Sequence, residues 1–275
     1  MIPIKDENPT RRRPLVTIAL IVVCTAVYFL WQPSPFSNTA SDVDFSVRRA
    51  AIPCEVVHHR PLTIDELRAT YSNTVGRDDA CGIGAPTSPA GVPHKSVWLS
   101  IFVSMFLHGG VIHLAGNLLF LWIFGNNIED RLGHVRFLGF YLAGGFVATW
   151  AHVLLDVHST VPMIGASGAI AAVMGAYLVW FPDAPVRTVL AFFLPFIVRI
   201  RAKWVLLFWF LLQFLTSPNS GVAWAAHVGG FVFGAIVGLL VRAIPPLRRV
   251  ALVPDHREGP WDPTGGAGYA YFDRT

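Results

Sequence analysis

The chain has 275 residues, of which 53% are hydrophobic and only 14% charged, with nine tryptophans and a formal charge of +4. Soluble domains carry about a quarter charged residues, so an ordinary soluble enzyme is excluded and a lipid bilayer is the expected surrounding. The basic excess sits where membrane topology would place it and calls for no nucleic-acid partner.

In chain order, Arg11, Arg12 and Arg13 precede an apolar run from Leu15 to Trp31. Its length is near the lower limit of about 17 residues for a spanning helix. Trp31, Gln32 and Pro33 follow where a small-residue cleavage site would stand, so the run reads as an uncleaved first transmembrane helix behind a cytoplasmic N-terminus, residues 1–14. Residues 32–97 are the one long polar stretch, rich in Pro, Ser and Asp, with a short helical pattern at Thr63–Arg68; they form a large loop or miniature domain. Apolar character returns at Val97–Leu107, breaks at His108-Gly109-Gly110, and resumes from Val111 to Phe124 as helix 2. A polar turn, Gly125–Arg136, is expected next.

The third apolar run is Phe137–Leu155, and a short loop leads to the helix that holds Ser167, which Pro182-Asp183-Ala184-Pro185 end. Thr188–Ile200 is apolar, but Pro195 interrupts it and Arg187, Arg199, Arg201 and Lys203 bracket it, so an interfacial or re-entrant segment is expected. Ala202–Leu215 and Val222–Val241 are helices five and six. Beyond Pro245 and Pro246 a Gly/Pro-rich tail is expected to be disordered. The fold class is thus an all-α, six-helix transmembrane bundle, with a core over residues 98–241 and a cytoplasmic tail over 242–275.

Six helices put both termini on one side, and the Lys/Arg distribution selects it. The N-terminus, the turn with Arg131 and Arg136, the cluster Arg187/Arg199/Arg201/Lys203 and the start of the tail are basic, whereas loops 156–162 and 216–221 hold no Lys or Arg. Both termini are then cytoplasmic and the 32–97 loop external. Cys54 and Cys81 share that loop and are the candidate disulfide in an oxidising compartment, while Cys24 is a packing residue of helix 1.

Polar side chains inside a membrane are costly and mark function, and this chain has few. His108 and His113 lie at the mouth of helix 2, Asn117 follows His113 by four residues and so shares its face, Ser167 opens helix 4, and His227 opens helix 6. A serine becomes a nucleophile when a base takes its proton, and histidine has the pKa for that task. Oxyanion charge would then need fixed donors, which His113, Asn117 and the Ser167 backbone N–H can supply. No Asp or Glu lies within helices 3 to 6, so a Ser–His dyad is expected, without metal or cofactor. The same absence disfavours an aspartyl protease and an ion-coupled transporter, and the zinc-protease pattern H-E-x-x-H is missing. Gly168, Ala172 and Ala176 on helix 4, and Gly230, Gly234 and Gly238 on helix 6, recur every four residues. Two helices faced in this way can approach closely, bringing Ser167 to His227.

These motifs, His108-x4-His113-x3-Asn117, Gly165-Ala166-Ser167-Gly168 and Ala226-His227-x2-Gly230, together with Phe124–Leu138 after helix 2, resemble the rhomboid intramembrane serine proteases across residues 97–241. The resemblance implies Ser167 as nucleophile, His227 as general base, and His113 and Asn117 in the oxyanion hole, with His108, Gly165, Gly168 and Gly230 in support. It implies transmembrane protein substrates, cleaved near the outer face of a bacterial inner (plasma) membrane. A catalytically silent, client-binding member is the alternative, whose usual mark is loss of the serine or histidine. Two departures stand out: Ala171 occupies the place of a tyrosine that stacks on the catalytic histidine in some members, and the first loop lacks a Trp-Arg pair.

Overall fold

The computed structural model describes residues 1–33, 40–72, 79–84, 87–191, 195–215 and 223–247. A short strand, β1 (Ile2–Asp6), precedes α1 (Leu15–Ala26), which continues through a π-helical turn, Val27–Trp31. Three short helices follow, α2 (Ala40–Arg49), α3 (Pro53–His58) and α4 (Ile64–Tyr71), then α5 (Val97–Ser104). Helix α6 (Val111–Phe120) runs through a π-helical turn, Leu121–Gly125, into α7 (Asn126–Leu132); α8 (His134–Leu155) and α9 (Ser167–Trp180) come next. Strands β2 (Pro185–Ala191) and β3 (Pro195–Arg201) lead into α10 (Ala202–Gln213), and α11 (Trp224–Ala243) completes the bundle. Of the expected tail, 242–275, residues 242–247 are described, Arg242 and Ala243 as the end of α11; the rest of it and the loop 216–221 lie outside the described residues.

The fold is mostly helical, as expected for a membrane bundle. Among the described residues, three helices, Val111–Leu132, His134–Leu155 and Trp224–Ala243, are long and apolar enough to cross a bilayer, and Leu15–Trp31, Ser167–Trp180 and Ala202–Gln213 are shorter apolar helices. Helix α9 is the centre: Gly168 through Tyr177 are all buried, the mark of a helix apolar all round and enclosed by others. Its closest neighbour is α11, then α8. The α9–α11 contact is backbone on backbone. A Cβ added at Gly230 would lie 2.1 Å from the Gly168 carbonyl oxygen, one at Gly234 1.8 Å from that of Ala172, and one at Gly175 2.0 Å from that of Phe231.

Helix 2 does not stop at Phe124. The helix continues to Leu132 and the turn is Gly133, at φ +75°, so the expected polar turn Gly125–Arg136 is mostly helix. Its polar residues are used inward. Glu129 accepts hydrogen bonds from the backbone N–H groups of Val16 and Thr17 and from Thr17 Oγ1, all at 2.7–2.8 Å. These are orphan donors at the start of α1, where a carboxylate is also favoured by the helix dipole.

The segment Thr188–Ile200 is neither a span nor a re-entrant helix but most of an antiparallel hairpin, and β1 adds to it, giving the order β1-β2-β3. Arg187 pairs with Lys5 and Arg199 across the sheet, and Val189 with Ile2 and Ile197. Val186 and Thr188 are buried on the bundle side, which is the period-two pattern of a half-covered sheet. Glu7 bridges Arg187 and Arg199, and Asp183 bridges Arg201 and Lys203. Tyr177 Oη donates to Asp6 at 2.7 Å and ties the sheet to the C-terminal end of α9.

Residues of the long polar stretch build an ordered cap at the opposite end of α9. Thr63 and Glu66 form a reciprocal capping box on α4, and Cys54 and Cys81 are joined by a disulfide. Glu66 also accepts from both terminal guanidinium nitrogens of Arg60 at 2.7 Å, and a buried Lys95–Glu55 pair lies below. The cap is sewn to the bundle where Met163 N–H donates to the Ala51 carbonyl and Ala51 N–H to Ser104 Oγ.

Candidate active site

Ser167 is the first residue of α9, so its backbone N–H lacks an intrahelical partner. Gly165, two residues before, has φ +127°, a conformation open to glycine, and its N–H donates to the Ser104 carbonyl at 2.9 Å. This bend delivers the chain into the helix with the serine side chain unscreened. Across the glycine seam, His227 Nε2 lies 2.7 Å from Ser167 Oγ. The approach depends on small residues on three helices, since a Cβ at Gly168 would come within 2.6 Å of Ala148 Cβ.

His113 stands on the other side of the serine. A Cβ added at Gly165 would lie 2.9 Å from His113 Nε2 and 3.6 Å from Ser167 Oγ, so both groups flank one point and any larger residue there would fill it. His113 Nδ1 accepts from Gly109 N–H at 3.3 Å, which leaves Nε2 as the hydrogen-bearing nitrogen facing the serine. Asn117 is buried, and its Nδ2 donates to the His113 carbonyl at 2.9 Å. The amide has a second hydrogen on the same nitrogen. His108 is set behind this pair: its ring packs edge-on against that of His113 with centroids 5.4 Å apart, and its backbone exchanges two hydrogen bonds with the Gln32 side chain.

The second nitrogen of His227 has a partner that sequence reasoning missed. Gln213 Oε1 of α10 lies 2.7 Å from His227 Nδ1, and the Trp209 ring leans on the imidazole with centroids 5.6 Å apart. Ala171, noted in the sequence as a departure from the stacking tyrosine, closes the helix seam, 3.3 Å from where a Gly230 Cβ would be. The available signal was Gln213 itself, an uncharged polar residue inside the apolar run Ala202–Leu215 and four residues after Trp209. Among the described residues, one group could hold a metal by the spacing of its ligand atoms, Cys54, His58 and Cys81 in the cap. Its two sulfurs are already bonded to each other.

The family model for the rhomboid domain matches residues 95–244, just over half of the chain. Presenilin-associated rhomboid-like protein A, mitochondrial, from Danio rerio is 31% identical over 147 residues, 51% of this chain and 37% of that protein. Rhomboid protein 1, mitochondrial, from Saccharomyces cerevisiae is 31% identical over 155 residues, covering 51% and 41%. Rhomboid protease AarA from Providencia stuartii is 30% identical over 171 residues, covering 56% and 59%. The chain thus spans between about a third and three fifths of the length of these relatives. A rhomboid domain match across the whole region of α5 to α11, on a helical membrane bundle that brings Ser167 and His227 together, places this chain in the rhomboid family.

Proposed function

We propose that the protein is an intramembrane serine endopeptidase that cuts transmembrane segments of other membrane proteins near the outer face of the bilayer. The observation that carries the reading is the 2.7 Å approach of His227 Nε2 to Ser167 Oγ across two helices. Ser167 Oγ attacks the scissile carbonyl carbon as its proton passes to His227 Nε2. The carbonyl oxygen becomes an oxyanion held by the Ser167 backbone N–H, His113 Nε2–H and the second Asn117 amide hydrogen, each aimed where charge develops. Collapse of that intermediate expels the amine, which takes the proton from His227. A water molecule, activated by the same imidazole, then hydrolyses the acyl-serine.

The depth of the site supports cleavage inside the membrane. Helix α9 has 14 residues, about 21 Å at 1.5 Å per residue, against a hydrocarbon core of about 30 Å. With its Trp180 end at the inner surface, Ser167 lies well below the outer one, roofed by the cap. On this reading residues 98–241 are the protease core, 32–97 the outer cap, and 1–14 and 242–275 are cytoplasmic, in a bacterial inner (plasma) membrane crossed by all six apolar helices. The test is cleavage of a transmembrane test substrate by the purified full chain in lipid. Wild type should cut and Ser167→Ala should not, while keeping its thermal transition; cleavage retained by Ser167→Ala would end the reading.

A further inference from the structure

We infer that Gln213 is the positioning residue of His227: its side-chain oxygen fixes the imidazole in the one tautomer that can take the proton of Ser167. The kinetic consequence rests on the proteolytic reading, while the tautomer does not.

The direction of every hydrogen bond follows from the far end of the chain of contacts. Gln213 Nε2 lies 2.8 Å from the Trp209 carbonyl oxygen, and a carbonyl can only accept. The amide nitrogen must therefore face Trp209, which leaves Oε1 for His227 Nδ1 at 2.7 Å. Oε1 can only accept as well, so Nδ1 carries the hydrogen. In a neutral imidazole Nε2 is then bare, and it is Nε2 that lies 2.7 Å from Ser167 Oγ. The Trp209 carbonyl thus sets the Gln213 amide, the amide sets the tautomer, and the tautomer makes Nε2 a base.

Gln213 is 7% exposed, and its i to i−4 bond to Trp209 locks it to its own helix. The aromatic ring of the same Trp209 packs on the imidazole, so α10 holds His227 by both an edge and a face. Helices α8, α9, α10 and α11 contain no Asp or Glu. The titratable groups acting on His227 are His113 from α6 and His152 from α8. Orientation is therefore supplied by a neutral dipole. A carboxylate in its place would orient the ring equally well but would also favour the imidazolium, making the base available at higher pH only.

The experiment uses the full chain in lipid with two variants, Gln213→Leu and Gln213→Glu, beside wild type and Ser167→Ala. Gln213→Leu should lower kcat by about tenfold or more with KM within about twofold, because an untethered base is lost from the transition state and not from substrate binding. Gln213→Glu should recover most of kcat at high pH while moving the acid limb of the pH profile up by about one pH unit or more. Histidine-nitrogen NMR of labelled protein supplies a readout independent of turnover: His227 should be the Nδ1–H tautomer in wild type, and an Nε2–H population should appear in Gln213→Leu. The inference is overturned if wild-type His227 is the Nε2–H tautomer, if Gln213→Leu retains the Nδ1–H form and the wild-type kcat, or if Gln213→Glu neither recovers kcat nor moves the acid limb. If no protein cleaves, wild type included, the proteolytic reading fails and the tautomer spectra alone decide the role of Gln213.

Discussion

Gly234→Ala adds one methyl group two helical turns from His227 and touches no residue of the site. Its Cβ would stand 1.8 Å from the Ala172 carbonyl oxygen and 2.6 Å from the carbonyl carbon, where real Cβ atoms keep at least 3.0 Å. The obstacle is backbone, so no side chain can rotate away, and α9 and α11 must part by somewhat more than 1 Å at that level. Overpacking of this kind costs about 1–3 kcal/mol. A displacement of about 1 Å between reacting groups can cost 10²-fold in rate, because the 2.7 Å contact between Ser167 and His227 spans the same seam. Gly139→Ala is the matched control: it lies on α8 with nothing within 4 Å of the added Cβ, and removing a mid-helix glycine favours the helix by about 1 kcal/mol. Thermal unfolding in detergent and kcat on a transmembrane substrate should both fall for Gly234→Ala and hold for Gly139→Ala. A Gly234→Ala protein with wild-type melting and turnover would show that the glycine seam does not set the site.

Three further outcomes follow from other parts of the molecule. Asn117→Ala and His113→Ala should each lower kcat by about 10²–10³, as for the loss of one oxyanion donor, and steady-state kinetics in which only KM changes would remove them from that role. The cap should respond to acid through Glu66: burial alone would raise its pKa, but Arg60 and the N–H groups of Thr63 and Gly82 outweigh it and hold the carboxyl at about 2. A depressed carboxylate stabilises above its unfolded pKa, 4.5, and loses that contribution as pH falls towards 2; limited proteolysis of the cap should accelerate across that window in wild type and much less in Glu66→Gln. Substrate choice should follow helix stability, since exposing a peptide carbonyl inside a bilayer breaks backbone bonds that cost several kcal/mol each: a substrate with Ala at the cut and a Gly-Ala pair beyond should be cleaved well and a poly-leucine helix poorly, and equal rates would refute the point.

Hydropathy made the helical class and the order of the long apolar helices legible, because each run is bounded by charge, proline or glycine. It misjudged the end of helix 2, where Asn126, Asn127, Glu129 and Asp130 look like a loop. In the fold, Glu129 caps α1 and Asn127 binds Asp6, and such partners are over a hundred residues away in sequence. The hairpin was missed because Pro195 and the bracketing basic residues read as an interfacial segment, and the strand that completes its sheet, Ile2–Asp6, lies well over a hundred residues away, outside any local window. At the site, the seam of Gly168, Ala172, Gly230 and Gly234 was visible as a period of four, and the structure brings Ser167 to His227 along it. Gln213 escaped because a catalytic dyad's orienting partner is expected to be charged, and an amide four residues from a tryptophan reads as packing unless His227 stands beside it.

The central claim is that Ser167 is a nucleophile because His227 takes its proton. Reaction of the purified protein with a fluorophosphonate, followed by peptide mass spectrometry, tests it without any knowledge of the substrate. The adduct should fall on Ser167 and disappear in His227→Ala. Modification of Ser167 at the same rate in His227→Ala, or no modification of Ser167 in the wild-type protein, would contradict it.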